Sequence, residues 1–202
     1  MSAAFIGALT LAIVAIIARG PGLSGVDIGL RLTARFSYTF FWLAYVGGSL
    51  TNLFGPAFRI VGRRARELGL AFASAQLVHV GLVARLAWLS QPESLSDAVM
   101  PFFAIAIVWT CLLAALSSNY ARQICNPHIR NILITIGSEY IALTFFTDFV
   151  LLPKYPIQIP LLYIPFWIMI FVGPLLRIAS AAKKFLFRFR YFQARSSLQT
   201  SP

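Results

Sequence analysis

The 202 residues of this chain are 59% hydrophobic and only 11% charged, and the net charge is +11. A soluble domain carries about 25% charged residues, so this chain cannot cover a water-exposed surface, and its composition predicts a polytopic membrane protein. Apolar spans and short loops use nearly all the residues, which leaves no room for a soluble catalytic domain. No GxGxxG or P-loop motif is present, so flavin or nucleotide chemistry would have to come from a partner.

Six apolar segments predict an all-helical bundle with six membrane spans. In chain order they are residues 3–18, 36–54, 68–89, 99–116, 132–152 and 157–179. The first is short for a span of about 20 residues and resembles the apolar part of a signal peptide, so five spans are the alternative. Because no basic segment precedes it, we interpret it as a retained span. Residues 21–35 are glycine-rich and are predicted to form a linker.

The basic residues predict the orientation of the bundle. With the amino terminus inside, 12 of the 17 Lys and Arg residues would lie on the cytoplasmic side, as the positive-inside rule requires. Both termini are therefore predicted to be cytoplasmic, in the inner (cytoplasmic) membrane. Residues 1–182 are expected to form one transmembrane domain. Residues 183–202 form a tail of basic and aromatic residues that suits an anionic bilayer surface, and no nucleic-acid partner is expected.

One histidine falls inside a predicted span, where ionisable side chains usually mark a functional site. His79 is about 16 Å from the cytoplasmic end of the third span by helical rise, and Gln76 shares its face. His79 could ligate haem iron or another metal, or it could hydrogen-bond between helices as a neutral side chain. The residues alone leave both interpretations open.

Two pairs of polar side chains are predicted between the third and fifth spans. Glu139 is about 10 Å into the fifth span, near enough to the level of His79 for a pair or a water bridge. Arg85 and Asp148 are each about 25 Å from the cytoplasmic end of their spans, and an ion pair near the outer interface is predicted for them. The two pairs could also form a proton or transport path, although the chain lacks the internal repeat of many transporters.

The chain contains no self-contained catalytic motif. GxSxG, HExxH and CxxC patterns are absent, and the six acidic residues do not cluster in the sequence. If the chain belongs to an enzyme, it is at most the membrane electron-transfer subunit of an oxidoreductase.

Three stretches resemble the ferric-reductase-like transmembrane domain family, and most closely its small form, the haem-binding membrane subunit of the periplasmic methionine-sulfoxide reductase system. The stretches are residues 32–36 (LTARF), residues 63–70 (RRARELGL) followed by 77–80 (LVHV), and residues 116–119 (LSSN) followed by Arg122. The resemblance implies a helical bundle that holds b-type haem and passes electrons across the membrane.

The resemblance also implies a change at the haem site. In the family, the third-span histidine, here His79, works with histidines of the fifth span. Those positions fall on Ile132 and Phe145 in one alignment and on Ile136 and Phe149 in the other, so neither gives a histidine. A low-spin haem normally needs two strong axial ligands, so this chain alone cannot supply the family's pair.

Two functions follow from these observations. The first is a membrane electron-transfer subunit with an altered b-haem site, in which His79 is a single axial ligand with Gln76 beside it. A redox partner protein or another subunit would then complete the chemistry. The alternative is a haem-free structural or accessory subunit of a larger membrane complex.

Overall fold

The computed structural model describes residues 1–89, 99–151 and 164–199 of the chain. These residues are helical almost throughout and include no strand, which confirms the predicted all-helical class. In chain order the helices are α1 Ser2–Arg19, α2 Leu23–Phe54, α3 Arg59–Leu89, α4 Val99–Leu116, α5 Asn119–Ile124, α6 Pro127–Phe146 and α7 Ile164–Gln199. A 3-10 turn, Gly55–Phe58, joins α2 to α3, and a π-helical turn, Thr147–Leu151, extends α6.

Four of the described helical segments are long and apolar enough to cross a membrane. They are Ser2–Arg19, Leu23–Leu89, Pro127–Leu151 and Ile164–Phe187, and a shorter apolar helix covers Met100–Leu116. The segment Leu23–Leu89 contains both α2 and α3, which pack along each other as a hairpin. The helices are those of a multi-pass membrane protein.

The predicted linker, residues 21–35, is an error of the sequence prediction, because α2 already begins at Leu23. Three residues, Gly20 to Gly22, separate α1 from α2, and Gly20 has a φ of 88°. Gly29, one of the glycines that suggested a linker, serves helix packing instead. A Cβ atom on Gly29 would lie 3.2 Å from the Leu82 side chain of α3, so glycine here lets two helices approach closely, as small residues do in membrane bundles.

The predicted end of the second span is confirmed. Helix α2 ends at Phe54, and Gly55 follows with a φ of 79°, a left-handed conformation that glycine adopts without strain. The helices of the third and fifth predicted spans, α3 and α6, begin earlier than predicted. Helix α3 starts at Arg59, and α6 starts at Pro127, where the side chain of Asn126 accepts a hydrogen bond from the His128 amide at 2.8 Å.

Helix α7 continues well past the predicted sixth span. It runs without a break to Gln199, so the predicted boundary between residues 182 and 183 lies inside a helix. The loop at residues 90–98 and the segment at 152–163, where the fifth predicted span ends and the sixth begins, lie outside the described residues.

Small residues form the core between α1, α2 and α3. Helix α1 buries one face made of alanines: Ala4, Ala8, Ala12 and Ala15. Ala8 and Ala75 of α3 are completely buried, as is Val26 of α2. Because lipid chains are as apolar as the side chains, such helices are held by close backbone approach rather than by a hydrophobic driving force.

Aromatic residues form a second core between α2, α3, α6 and α7. Its rings belong to Tyr38, Phe41, Tyr45, Phe72, Phe145 and Phe149. The Tyr38 and Phe145 ring centroids are 4.7 Å apart, and those of Phe41 and Phe72 are 5.3 Å apart. Separations of this size are typical of favourable aromatic pairs.

Basic side chains gather at one end of the bundle. Arg66 of α3 donates to the Ser117 carbonyl, just past the end of α4, at 2.6 Å. Lys183 of α7 donates to the Asn52 carbonyl near the end of α2 at 2.6 Å, and Asn52 in turn donates to the Ser180 hydroxyl at 2.8 Å. The cations therefore contact the carbonyl ends of helices, where they complement the helix dipole.

Replacing Ala8 with Leu tests the small-residue core. Because Ala8 is completely buried between helices, the larger side chain should overpack the site and lower the free energy of unfolding by about 1–3 kcal/mol. Thermal melting in detergent, followed by circular dichroism, measures the change. Ala18→Leu on the exposed side of α1 is the matched control. Equal melting temperatures for the two variants would contradict the packing described here.

Candidate functional site

His79 contacts α2 at Thr33. Its Nδ1 atom is 3.1 Å from the Thr33 hydroxyl oxygen, and Thr33 is completely buried. The Thr33 hydroxyl also lies 2.8 Å from the Gly29 carbonyl, to which it can donate its hydrogen. Which side chain donates in the contact between Thr33 and His79 depends on the imidazole tautomer.

Gln76, predicted to share the face of His79, lies three residues before it on α3. Its Oε1 atom is buried and has no hydrogen-bond partner among the described residues. A carbonyl oxygen left in this state is uncommon in a folded protein.

Glu139 lies in a cluster of three polar side chains from three helices, which we call the Tyr45–Glu139–Arg177 triad. The Tyr45 hydroxyl of α2 donates to Glu139 Oε2 at 2.6 Å. Arg177 of α7 forms an ion pair with Glu139 Oε1, with its Nε atom at 2.9 Å. The Arg177 guanidinium also lies over the Tyr45 ring, 4.4 Å from the centroid, in a cation–π contact.

The structure places Glu139 and His79 at different levels of the bundle. His79 is opposite Thr33, whereas Glu139 is opposite Tyr45, and these two residues are 12 positions apart on α2. At the helical rise of 1.5 Å per residue this is a separation of about 18 Å along the helix. Both oxygens of Glu139 are bound by Tyr45 and Arg177, so the predicted pairing with His79 is replaced by the triad.

Arg85 and Asp148 also differ from their predicted arrangement. Arg85 is exposed, and it donates to the Pro21 carbonyl between α1 and α2 at 3.2 Å. Asp148 lies in the π-helical turn after α6, where it has an interaction of its own. Arg85 therefore ties α3 to the turn before α2 and not to the fifth span.

A cleft of about 330 Å³ lies next to the triad, between α6 and α7. It is only partly enclosed, since Leu143 on its wall is 51% exposed. Aromatic side chains of α2 form its floor. Its main lining residues are Tyr38, Phe41, Trp42 and Tyr45 from α2, Glu139, Leu143 and Phe146 from α6, and Met169, Gly173 and Pro174 from α7.

Gly173 and Pro174 of α7 explain how α2 comes so close to that helix. Pro174 has no amide hydrogen, so the preceding turn is one backbone donor short. Trp42 Nε1 donates to the Met169 carbonyl in that region at 2.7 Å. A Cβ atom on Gly173 would lie 3.1 Å from the same Trp42 nitrogen, so the absence of a side chain there makes room for the indole.

The residues at the family's fifth-span positions do not fit a second haem ligand. Phe145 and Phe149 are buried, and their ring centroids lie 4.7 Å and 5.5 Å from that of Tyr38. Rings thus fill the space beside α2 at these two positions. Ile132 and Ile136, the other fifth-span position in each alignment, are 45% and 51% exposed. A haem with two axial ligands from this chain does not fit these residues.

The described side chains also limit how this chain could bind a metal ion. Across residues 1–89, 99–151 and 164–199, no three His, Cys, Asp or Glu side chains lie together as a ligand set. Within these ranges, His79 therefore does not belong to a set of three such side chains.

The sequence interpretation missed Tyr45 and Arg177. Arg177 is one of the 12 basic residues that the sequence analysis assigns to the cytoplasmic side. It lies inside the apolar run between Ile164 and Lys183. A lone arginine within an apolar run calls for an acidic partner, and Glu139 is the membrane carboxylate that could have been assigned to it. Tyr45 gave no signal, because tyrosines are ordinary in membrane helices.

Comparisons with known proteins give no match: no protein-family model, no curated protein and no solved structure is significantly similar to this chain. The resemblance to the ferric-reductase-like family therefore depends on the short stretches around residues 32–36, 63–80 and 116–122, and it stays a prediction.

Replacing Glu139 and Arg177 one at a time tests how much their ion pair contributes to stability. Glu139→Leu leaves the Arg177 cation without its carboxylate, and Arg177→Leu leaves the carboxylate without its cation, so each should lower the melting temperature in detergent. Because Glu139 is half exposed, we expect losses of about 1–2 kcal/mol. The double variant removes both charges and should recover part of the loss. Additive losses in the double variant would show that the two side chains are not coupled.

Proposed function

We propose that this chain is a haem-free structural or accessory subunit, of the ferric-reductase-like type, in a larger complex of the inner (cytoplasmic) membrane. The observation that carries the proposal is the burial of Phe145 and Phe149 in the aromatic core. Each alignment places one fifth-span ligand position on a buried ring, Phe145 or Phe149, and phenylalanine cannot ligate iron.

The hydrogen bonding of the membrane polar groups supports an accessory role. His79 contacts Thr33, and Glu139 is held by Tyr45 and Arg177. Each of these contacts joins two or three helices. Interhelical hydrogen bonds of this kind stabilise membrane bundles, so the polar residues already have a structural task without any catalysis.

The outer face of α6 supports a role within a complex. His128, Asn131 and Thr135 are exposed along this face and line a shallow groove together with Ile132 and Ile136. His128 and Asn131 lie at the predicted cytoplasmic end of the span, and the exposed side chains of Ile132 and Ile136 lie beside them. A neighbouring subunit could bond to the polar groups and cover the apolar side chains. This face is therefore the proposed contact with another membrane subunit.

The distribution of charge supports the proposed orientation. The basic residues that bind the ends of α2 and α4 lie at one end of the bundle. The positive-inside rule would place that end in the cytoplasm. Both termini would then be cytoplasmic if α1, α2, α3, α4, α6 and α7 each cross the membrane once.

A second candidate function is electron transfer through a haem with His79 as its only ligand from this chain. The contact between His79 Nδ1 and the Thr33 hydroxyl favours it, because metal-bound histidines usually donate their other ring nitrogen to a neighbouring acceptor. When bound, the haem would supply one-electron chemistry. Thr33 would fix the orientation of the imidazole, and a redox partner or second subunit would have to provide the other ligand.

Absorbance of the purified full chain in detergent separates the two candidates. We expect no Soret band, either as purified or after incubation with haemin, because the isoleucines and phenylalanines at the fifth-span ligand positions cannot ligate iron. His79→Ala is the matched control and should give the same spectrum as the wild type. A Soret band that His79→Ala abolishes would overturn the haem-free proposal and favour electron transfer.

Native electrophoresis of membranes in a mild detergent tests the accessory role. At native expression levels, we expect the chain to migrate in a complex much larger than its own 22.4 kDa. Thr135→Trp on the exposed face of α6 should weaken that complex by steric clash. Ile17→Trp on α1, where Ile17 is 78% exposed, is the matched control. Migration as a single chain with its detergent would contradict the proposal.

A further inference from the structure

We propose that the cleft between α6 and α7 binds one acyl chain of an anionic phospholipid, with the phosphate group held by Arg177. This proposal is independent of whether haem is bound, because His79 is not part of the cleft. It depends on the shape of the cleft, on its open side and on the hydrogen-bonding capacity of the triad.

The walls and the open side of the cleft suit a hydrocarbon chain. Its floor consists of α2 rings, including Tyr38 and Trp42. Leu143 of α6 and Phe171 of α7 are 51% and 53% exposed. Both lie within the apolar part of their helices, where lipid tails would surround them. The Phe146 and Phe171 rings contact each other across the two helices, with centroids 5.9 Å apart. A chain could therefore enter sideways from the bilayer.

The size of the cleft favours a lipid chain over a partner helix. Its volume of about 330 Å³ is at the lower end of the range for ligand sites, about 300–1,000 Å³. A helix with side chains is about 10–12 Å wide and would not enter it. One unbranched chain would, in contact with rings on one side and aliphatic side chains on the other.

The triad determines what kind of head group could bind at the end of the cleft. Both Glu139 oxygens already accept hydrogen bonds, from Tyr45 and from Arg177. Of the five N–H groups of Arg177, the described contacts use one toward Glu139 and one toward the Tyr45 carbonyl, at 3.4 Å. The unused capacity is therefore that of a donor, and it calls for an acceptor group such as phosphate.

The position of Arg177 also suits an anionic lipid. It lies six residues before Lys183 on α7, about 9 Å deeper by helical rise, and arginine side chains in membranes extend toward the interface. Lys183 and the exposed Lys184 add positive charge at the same end. Anionic lipids of the cytoplasmic leaflet are attracted to such basic segments.

Quenching of Trp42 fluorescence by brominated lipids tests the proposal. The full chain is reconstituted in phosphatidylcholine vesicles. One set of vesicles contains phosphatidylglycerol with brominated acyl chains, and the other contains brominated phosphatidylcholine at the same mole fraction. The Trp42 signal is the difference between the wild type and Trp42→Phe. We expect brominated phosphatidylglycerol to quench Trp42 at least twofold more strongly than brominated phosphatidylcholine.

Three variants distinguish a site from general surface attraction. The double variant Arg177→Gln with Glu139→Gln keeps the triad neutral and should bring the ratio of quenching close to one. Ala142→Phe fills the cleft and should reduce quenching by both lipids. Lys184→Gln removes an exposed charge of the same helix and should leave the ratio unchanged. A wild-type ratio of one, or an equal fall in the Lys184 and Arg177 variants, would overturn the proposal.

Discussion

Helices inside a bilayer gain little from burying apolar side chains against one another, since lipid chains are equally apolar. Close backbone approach and interhelical hydrogen bonds must hold them together, and in this protein α2 provides both. Gly29 makes room for α3, and Thr33 meets His79. Farther along, Trp42 bonds to α7 and Tyr45 to α6. The rest of the bundle is arranged around this one long helix.

The triad follows from the cost of an arginine at membrane depth. Arg177 cannot be left without a partner there, and Glu139 provides the opposite charge while Tyr45 covers one face of the guanidinium. The ion pair joins α6 to α7 at the level of Glu139, and the Phe146 and Phe171 rings join them again farther along. The cleft lies beside these contacts, with Glu139 among its lining residues.

The two halves of the bundle differ in their packing and in their chemistry. Around α1 the contacts are between alanines and glycines, and His79 lies in this half with its imidazole oriented by Thr33. Around α6 and α7 the contacts are between rings, among them Phe145 and Phe149. The proposed absence of haem depends on the second half, which contains Phe145 and Phe149, while His79 in the first half is a contact between α2 and α3.

The sequence by itself determined the helical class, the membrane character and the carboxyl-terminal ends of the first four spans, because apolar runs and the Gly55-Pro56 break are local signals. It also identified His79 and Glu139 as polar residues in apolar helices. Only the tertiary structure decided their partners. Depth counted from predicted span ends put them near each other, but partners depend on which helices are neighbours and on their offset along α2. That offset results from side-chain packing between distant parts of the chain, and a local sequence pattern does not predict it.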